Sequence, residues 1–281
     1  MRTRFFTWQK WHGKEAPGST RLRVNNLLPY WPEAGVYKFG EMVDVMIYQK
    51  VYWQQDWRFM EHFKGKQILD ICDADWLDWA YIKQTIDLMD AVTCPTENMA
   101  KFLRQLTDKP VKVIADRHDI AKVPPLKTHV GKTKKLVWFG YAHNASALNS
   151  AMHYIEREDV ELTVISNKDP SHGLLVADPK KLASKYNYVK YDDATKFKEL
   201  AKHDILLMPE GIRPVDYYKS NNRITTAWLA GLPVARTAED LARFATAEAR
   251  NEEAVKNYQI ARRDYDVKLS VNEYKELING L

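Results

Sequence analysis

The most reactive pattern in the sequence is Asp70-Ile71-Cys72-Asp73-Ala74-Asp75-Trp76. The carboxylates of Asp73 and Asp75 can take a proton from a hydroxyl as a general base, or hold a hard cation. Asp75 also suits a helix cap, where a carboxylate accepts from amides that the helix leaves unpaired. A second cluster is cationic. Pro209-Glu210-Gly211-Ile212-Arg213-Pro214 precedes Tyr218-Lys219-Ser220-Asn221-Asn222-Arg223, and a helical pattern runs on to Ala230-Gly231-Leu232-Pro233-Val234. Ser220 or Asn221 fits the cap and Gly231 the stop. Arg213, Lys219, Ser220, Asn222 and Arg223 then gather at a helix start whose amides attract anions, an arrangement suited to a diphosphate.

Two glycine turns add backbone donors. Phe139-Gly140-Tyr141-Ala142-His143-Asn144 lies between a strand pattern and a helix pattern. Gly140 lets the chain pass close to a ligand there, and Asn144 sits in the same turn. The full dinucleotide fingerprint is absent. Gly18-Ser19-Thr20-Arg21-Leu22-Arg23 opens another helix, with Gly18 and Arg21 as candidate ligand contacts. It reads equally as an ordinary capped helix with surface arginines. Seven of the nine tryptophans fall within residues 1–79, as core or as stacking surfaces for sugars and bases. The sequence has no paired-cysteine or His-x-x-x-His spacing for a metal, no Gly-x-Ser-x-Gly elbow and no Walker loop.

These residues need strands to carry them. Short apolar runs at Phe5–Trp8, Val43–Tyr48, Gln67–Cys72, Ala91–Cys94 and Val111–Ala115 predict strands. Helical patterns near Thr20–Tyr30, Trp53–Phe63, Trp76–Met89 and Glu97–Leu106 alternate with them. The series restarts with strands at Leu136–Phe139, Glu161–Ile165, Val189–Tyr191, Asp204–Met208 and Pro233–Ala235, and helices at Ala145–Glu156, Thr195–Lys202 and Asn221–Ala230. Alternation of this kind predicts parallel sheets flanked by helices. The expected division is a Rossmann-like domain over 1–120, a Pro- and Lys-rich linker over 121–134, a second such domain over 135–245, and a helical tail over 246–281 packing back on the first domain. Ligands in such sheets bind beyond the carboxyl ends of the strands, and with two such domains the expected site is a cleft between them.

Composition narrows the setting. Hydrophobic residues make up 45% and charged residues 28%, as in an ordinary globular protein. No apolar run reaches the roughly 18–20 residues that span a bilayer, and the N-terminus lacks an apolar signal region. Cys72 and Cys94 sit in apolar runs and read as buried thiols of a cytoplasmic protein. The net charge of +5 is mild, but residues 1–40 hold seven Lys/Arg against two Glu, and residues 120–155 hold five Lys and no acid. Two electropositive regions suit a polyanionic ligand; they also read as solvated surface lysines.

Taken in order, these segments resemble the GT-B glycosyltransferases, in particular their group 1/group 4-like branch. Gly-Ser-x-Arg-Leu-Arg at 18–23 is similar to that branch's N-domain glycine loop. Cys94-Pro95-Thr96-Glu97-Asn98-Met99-Ala100 resembles its strand-then-helix segment, and Val113–Asp119 sits where the chain enters its linker. Ala230-Gly231-Leu232-Pro233-Val234 resembles the end of its donor-domain helix. The resemblance spans residues 15–245. One departure stands out: a pair of glutamates common around that helix is replaced here by Tyr218 and Thr226.

The resemblance implies an α/β fold of two Rossmann-like doubly wound domains facing a cleft. It implies transfer of a sugar from a nucleotide-diphosphate donor to an acceptor hydroxyl, with no metal or other cofactor. Donor contacts would come from Gly140, Asn144, Arg213, Lys219, Ser220, Asn222 and Arg223, and acceptor contacts from Gly18 and Arg21. Asp73 or Asp75 would be the base if the reaction inverts; if it retains, no protein base is needed. Compact chains of this look resemble tailed-phage members, acting in the host cytoplasm, some of which modify hydroxylated bases in DNA, so DNA leads glycan and protein as the expected acceptor. Two other readings stay open: a metal-dependent single-domain (GT-A) transferase using Asp73 and Asp75, and a non-catalytic DNA-binding protein, for which no recognition motif is present.

Overall fold

The computed structural model describes residues 1–7, 16–77, 82–151, 160–170, 186–211 and 213–281. Trp8, Trp11 and Trp79 lie outside the described residues, as does Ile212.

The first sheet contains β1 (Thr3–Thr7), β2 (Ala34–Val36), β3 (Val45–Gln49), β4 (Lys66–Asp70), β5 (Ala91–Cys94) and β6 (Val111–Val113). All its pairings are parallel, in the order β2-β1-β3-β4-β5-β6. The second contains β7 (Lys135–Gly140), β8 (Glu161–Ser166), β9 (Tyr186–Lys190), β10 (Ile205–Leu207) and β11 (Val234–Ala235). It is also parallel throughout, in the order β11-β10-β7-β8-β9. Two separate sheets are not the architecture of a single-domain transferase.

Period-2 alternation sets both cores. On β3, Met46 and Tyr48 face a layer with Met60, Ile86 and Leu103, while Val45 and Ile47 face one with Val24, Tyr274 and Ile278. All five β3 residues are buried, as a parallel strand covered on both faces requires. On β7, Leu136 and Trp138 pack with Leu148 and Phe244, and Val137 and Phe139 with Leu200 and Ala227. The covering helices in the first half are α1 (Gly18–Thr20), which runs on as a π-helical turn over Arg21–Asn25, α2 (Gln54–His62), α3 (Ile82–Asp87) and α4 (Glu97–Leu103). Those in the second half are α5 (Lys196–Leu200), α6 (Asn222–Leu229), α7 (Ala238–Arg243) and α8 (Ala247–Asp264), and α9 (Val267–Gly280) ends the chain.

Contacts divide the chain into two compact units that are not continuous in sequence. One holds Met1–Asp119, Arg213–Ser220 and Tyr265–Leu281; the other holds Ile120–Ile212 and Asn221–Asp264. The tail expected over 246–281 is therefore split. Helix α8 belongs to the second unit, and α9 inserts Val267, Val271, Tyr274 and Ile278 into the core of the first. That spacing is one helical stripe. The segment expected as a linker is bonded into the second unit. His129 is buried, with Nε2 2.8 Å from the Gly231 carbonyl. The buried Arg250 guanidinium donates to the carbonyls of Gly131 at 2.8 Å and Phe244 at 3.0 Å, and to Thr133 Oγ1 at 2.6 Å. Proline and lysine content gave a loop its look, but a cation far along the chain satisfies its carbonyls.

Candidate functional site

Where the order of strands reverses, neighbouring loops part and leave a crevice at the carboxyl ends. In the second sheet the reversal lies between β7 and β10. Gly140 ends β7, and a Cβ built there would lie 3.1 Å from the Trp138 ring and 3.4 Å from an Arg223 nitrogen. Only a residue without a side chain leaves that space open. The Arg223 guanidinium lies over the buried Trp138 ring, 5.8 Å from its centroid. It enters from the first turn of α6, which contains no acidic residue and receives no side-chain cap bond from Asn221. Gly140 and Arg223, widely separated in sequence, thus meet at one strand end. Asn144 sits half-buried in the following turn, its amide bonded to the Tyr141 carbonyl at 2.9 Å. Asn222, half-buried, begins α6, and its carbonyl accepts from Thr226 Oγ1 at 2.6 Å.

The remaining candidates of the cationic cluster fall in the first unit. Arg213 and Lys219 both pair with Asp216, at 3.0 and 2.5 Å. Burial works against the Asp216 charge, but these two cations hold its carboxyl well below the usual range. Ser220 does not cap α6; its hydroxyl donates to Asp116 Oδ2 at 2.6 Å. Tyr218 packs edge-on to Trp76 at 5.0 Å, and Trp76 stacks on Phe102 at 4.6 Å.

In the first sheet the reversal lies between β1 and β3. Lys50, just after β3, has φ of +62°, a left-handed conformation that costs a residue with a side chain about 1 kcal/mol or more. From there its ammonium reaches Asp73 Oδ2 at 2.6 Å and Asp75 Oδ1 at 3.4 Å. Burial opposes the Lys50 charge, and the surroundings of Cys72, Asp73 and Asp75 outweigh it, keeping the lysine firmly protonated. Burial pushes the Asp75 carboxyl up to about 6, against the pull of Lys50. The buried Tyr52 hydroxyl lies beside the Asp75 carboxyl. Trp76 Nε1 and, at the end of β1, Thr7 Oγ1 are buried with no hydrogen-bond partner among the described residues. Asp75 begins a short 3-10 turn over Asp75–Leu77. Gly18 and Arg21 lie on the neighbouring α1 segment, where Arg21 donates to the Ala16 carbonyl at 2.8 Å.

Sequence reasoning missed Lys50, Tyr52 and the role of Arg23. The fully buried Arg23 grips Asp70 with two nitrogens, at 2.6 and 2.8 Å, and reaches Asp116 Oδ1 at 2.9 Å and the Ile114 carbonyl at 2.7 Å. Thr93 and Tyr274 hydroxyls complete the shell of Asp70 at 2.6 and 3.0 Å. The ends of β4, β5 and β6, the turn that carries Arg23, and α9 are thereby tied together. The short apolar run before Asp70 marked a strand end, but nothing local announced its partner. Among the described residues no group of three or more His, Cys, Asp or Glu is arranged to hold a metal ion. Nor is any described helix long and apolar enough to cross a membrane.

No protein-family model matches the chain, and no curated protein matches it. Solved structures do. Staphylococcus aureus TarM superposes with a TM-score of 0.62 at 12% identity, over 84% of this chain and 55% of its own. The chain thus spans about half the length of TarM. AviGT4, a glycosyltransferase involved in avilamycin A biosynthesis, superposes with a TM-score of 0.59 at 12% identity, over 100% of this chain and 99% of its own. The UDP-GlcNAc 2-epimerase of Neisseria meningitidis gives a TM-score of 0.50 at 12% identity, over 99% of both chains. Two parallel, doubly wound α/β units in this order, shared along its whole length with AviGT4, give this chain the GT-B fold.

Proposed function

We propose that this protein is a glycosyltransferase that moves a sugar from a nucleotide-diphosphate donor to an acceptor hydroxyl. The observation that carries the reading is the bare Gly140 turn, floored by Trp138 and faced by Arg223, at the reversal point of the second sheet. A diphosphate laid there meets a positive guanidinium and the positive end of α6. Asn144 and Asn222 supply amide donors and acceptors beside it. The bond from the anomeric carbon to the phosphate oxygen breaks in the reaction, and the nucleoside diphosphate leaves with the electron pair. A fixed cation and oriented amides stabilise that leaving charge with little reorganisation. TarM has been solved with UDP and α-GlcNAc-glycerol, and the epimerase with UDP-GlcNAc, so uridine donors are tested first.

Isothermal titration with UDP, UDP-glucose and UDP-GlcNAc, then with guanosine and thymidine counterparts, tests the donor site. One of them is expected to bind at micromolar strength and Arg223→Ala to weaken it at least tenfold. No binding by any of the set, or an undiminished affinity in Arg223→Ala, would sink the proposal. Acceptors are screened by release of the nucleoside diphosphate from the donor that binds. DNA carrying hydroxymethylated bases leads the panel, followed by simple glycosides and a protein substrate. Donor consumed without any acceptor, with an altered sugar as product, would indicate epimerase-type chemistry instead.

A further inference from the structure

We propose that the loop between β2 and β3 docks this protein on an anionic membrane surface, with Phe39 and Met42 entering the headgroup layer and Arg2, Lys38 and Lys64 meeting lipid phosphates. The docking surface lies in the first unit alone and stands independently of the donor site.

The loop is built inside out. Both its feet are fixed: Tyr37 packs against Phe6 and Phe59, with ring centroids 5.8 and 5.7 Å away, and Val43 packs on the same core. Between the feet the acidic side chain turns inward. Glu41 accepts from the Lys38 amide at 2.7 Å and from Arg4 Nε at 2.9 Å, and is mostly covered. Arg2 donates from its guanidinium to the Met42 carbonyl at 3.1 Å and from its amide to Asp44 Oδ2 at 2.5 Å. The apolar side chains are left outside. Phe39 is 97% exposed and Met42 84%, the two highest values among the described large hydrophobic residues. Gly40 turns the chain between them at φ +87°, and no other part of the described chain lies within 4 Å of the place its side chain would take. The tip therefore stands clear of the unit. A single exposed apolar residue is ordinary. A hydrogen-bonded loop that covers its glutamate and holds two large apolar side chains in water is the reverse of what burial favours, and marks a surface that something covers.

Size and charge select the occupant. A covered Phe buries about 150–250 Å², while a stable specific interface needs about 800 Å² per partner, so a two-residue tip falls far short of what a second copy requires. A lipid interface needs no matching shape: it takes a protruding aromatic side chain flanked by cations, and no spanning helix. The cations are present. Lys38 precedes Phe39, and Lys64 adjoins Gly65, which packs on the Asp44 carbonyl. Both lysines are exposed, and among the described residues neither is held in an ion pair. The acids of the loop are already engaged, Glu41 with Arg4 and Asp44 with the Arg2 amide. Each cation left at the tip adds to the attraction of an anionic bilayer.

Co-sedimentation of the protein with vesicles of phosphatidylcholine alone, or with about a third phosphatidylglycerol, tests the proposal. The expected result is sedimentation with the anionic vesicles, reduced about tenfold in a Phe39→Ser, Met42→Ser variant and likewise in a Lys38→Glu, Lys64→Glu variant. All four side chains are exposed, so both variants should melt as wild type does. Sedimentation with neither kind of vesicle, equal sedimentation with both, or undiminished sedimentation of either variant overturns the proposal. So does a concentration-dependent dimer, seen without lipid by analytical ultracentrifugation and lost in Phe39→Ser, Met42→Ser. Nucleotide affinity, which belongs to the second unit, should be the same in wild type and both variants, so this test and that of the donor site fail separately.

Discussion

Ser220 and Arg23 share one carboxylate: the Ser220 hydroxyl donates to Asp116 Oδ2 at 2.6 Å, and the buried Arg23 guanidinium donates to Oδ1 at 2.9 Å. The chain leaves the second unit for the stretch 213–220 and returns to it at Asn221, where α6 begins. The residue before that return is therefore bonded to the charge centre that also fixes the ends of β4, β5 and β6 in the first unit. Two substitutions measure what this linkage contributes. Ser220→Ala removes one hydrogen bond to a charged group and is expected to cost about 1–2 kcal/mol. Arg23→Ala leaves Asp70 and Asp116 buried without their cation, and is expected to cost about 3–5 kcal/mol. Urea unfolding followed by tryptophan fluorescence checks both; equal, small losses would show that the centre is not stabilising.

Gly140→Ala is the narrowest probe of the proposed donor turn. Its methyl would sit 3.1 Å from Trp138 and 3.4 Å from Arg223, so the ring or the guanidinium must shift by a few tenths of an ångström. The expected outcome is a nucleotide affinity reduced at least tenfold with a melting temperature lowered by only a few degrees. Titration calorimetry and a thermal melt on the same sample separate the two effects, and an affinity equal to wild type would place the diphosphate elsewhere.

How much of this was legible before the fold was known depends on how local each signal is. The two parallel sheets followed from alternation, and the GT-B reading from the resemblance: nearly every strand overlaps an apolar run such as Val43–Tyr48 or Ala91–Cys94. The exception, β2, is Ala34-Gly35-Val36, too short and too plain to stand out, and it is held by pairing with β1. Asp73, Asp75, Gly140 and Arg223 were visible because each follows a strand or opens a helix. Lys50 and Tyr52 were not, because a lysine in a left-handed conformation and a tyrosine buried beside a distant carboxylate have no sequence signature. The cationic run 213–223 looked like one site because it is contiguous. Tertiary contacts divide it at Ser220, and Asp216 pairs with two of its cations, a local pairing that charge counting passed over.

Lys50→Met tests the electrostatics around Asp75. Lys50 pulls the Asp75 carboxyl down against burial, so removing the ammonium moves that carboxyl above about 6. The Asp75 carboxyl, followed by NMR of carbon-labelled aspartate, is expected to titrate at higher pH in Lys50→Met than in wild type. A titration curve superimposable on wild type would mean that Lys50 does not act on that carboxyl.

Chelation is expected to leave transfer unchanged. The Lys50 ammonium occupies the space between Asp73 and Asp75 that a divalent ion would need, and a fixed cation there repels a second. Leaving-group charge is assigned to Arg223 and α6 instead. Activity measured in millimolar EDTA and after addition of excess Mg²⁺ or Mn²⁺ should agree within twofold. Loss in EDTA with recovery by Mn²⁺ would return the metal-dependent reading of the two aspartates.

Asp75→Asn is expected to raise stability, and the pH dependence of that gain identifies its source. The folded protein holds the Asp75 carboxyl near 6, above the 3.8 of an unfolded chain, so folding favours the protonated form. Stability from this group is therefore complete below about 3.8 and is lost as pH rises through 6, when the carboxylate must ionise in a buried place. The side chain is 17% exposed, and the shift corresponds to about 2 kcal/mol at pH 8 after allowance for solvent screening. An amide cannot ionise, and Lys50 keeps Asp73 as its partner, so the variant escapes that cost. Melting temperatures at pH 8 should place Asp75→Asn a few degrees above wild type, and the two should converge near pH 4. A variant less stable than wild type at pH 8 would mean that ionised Asp75, through Lys50, holds the fold together.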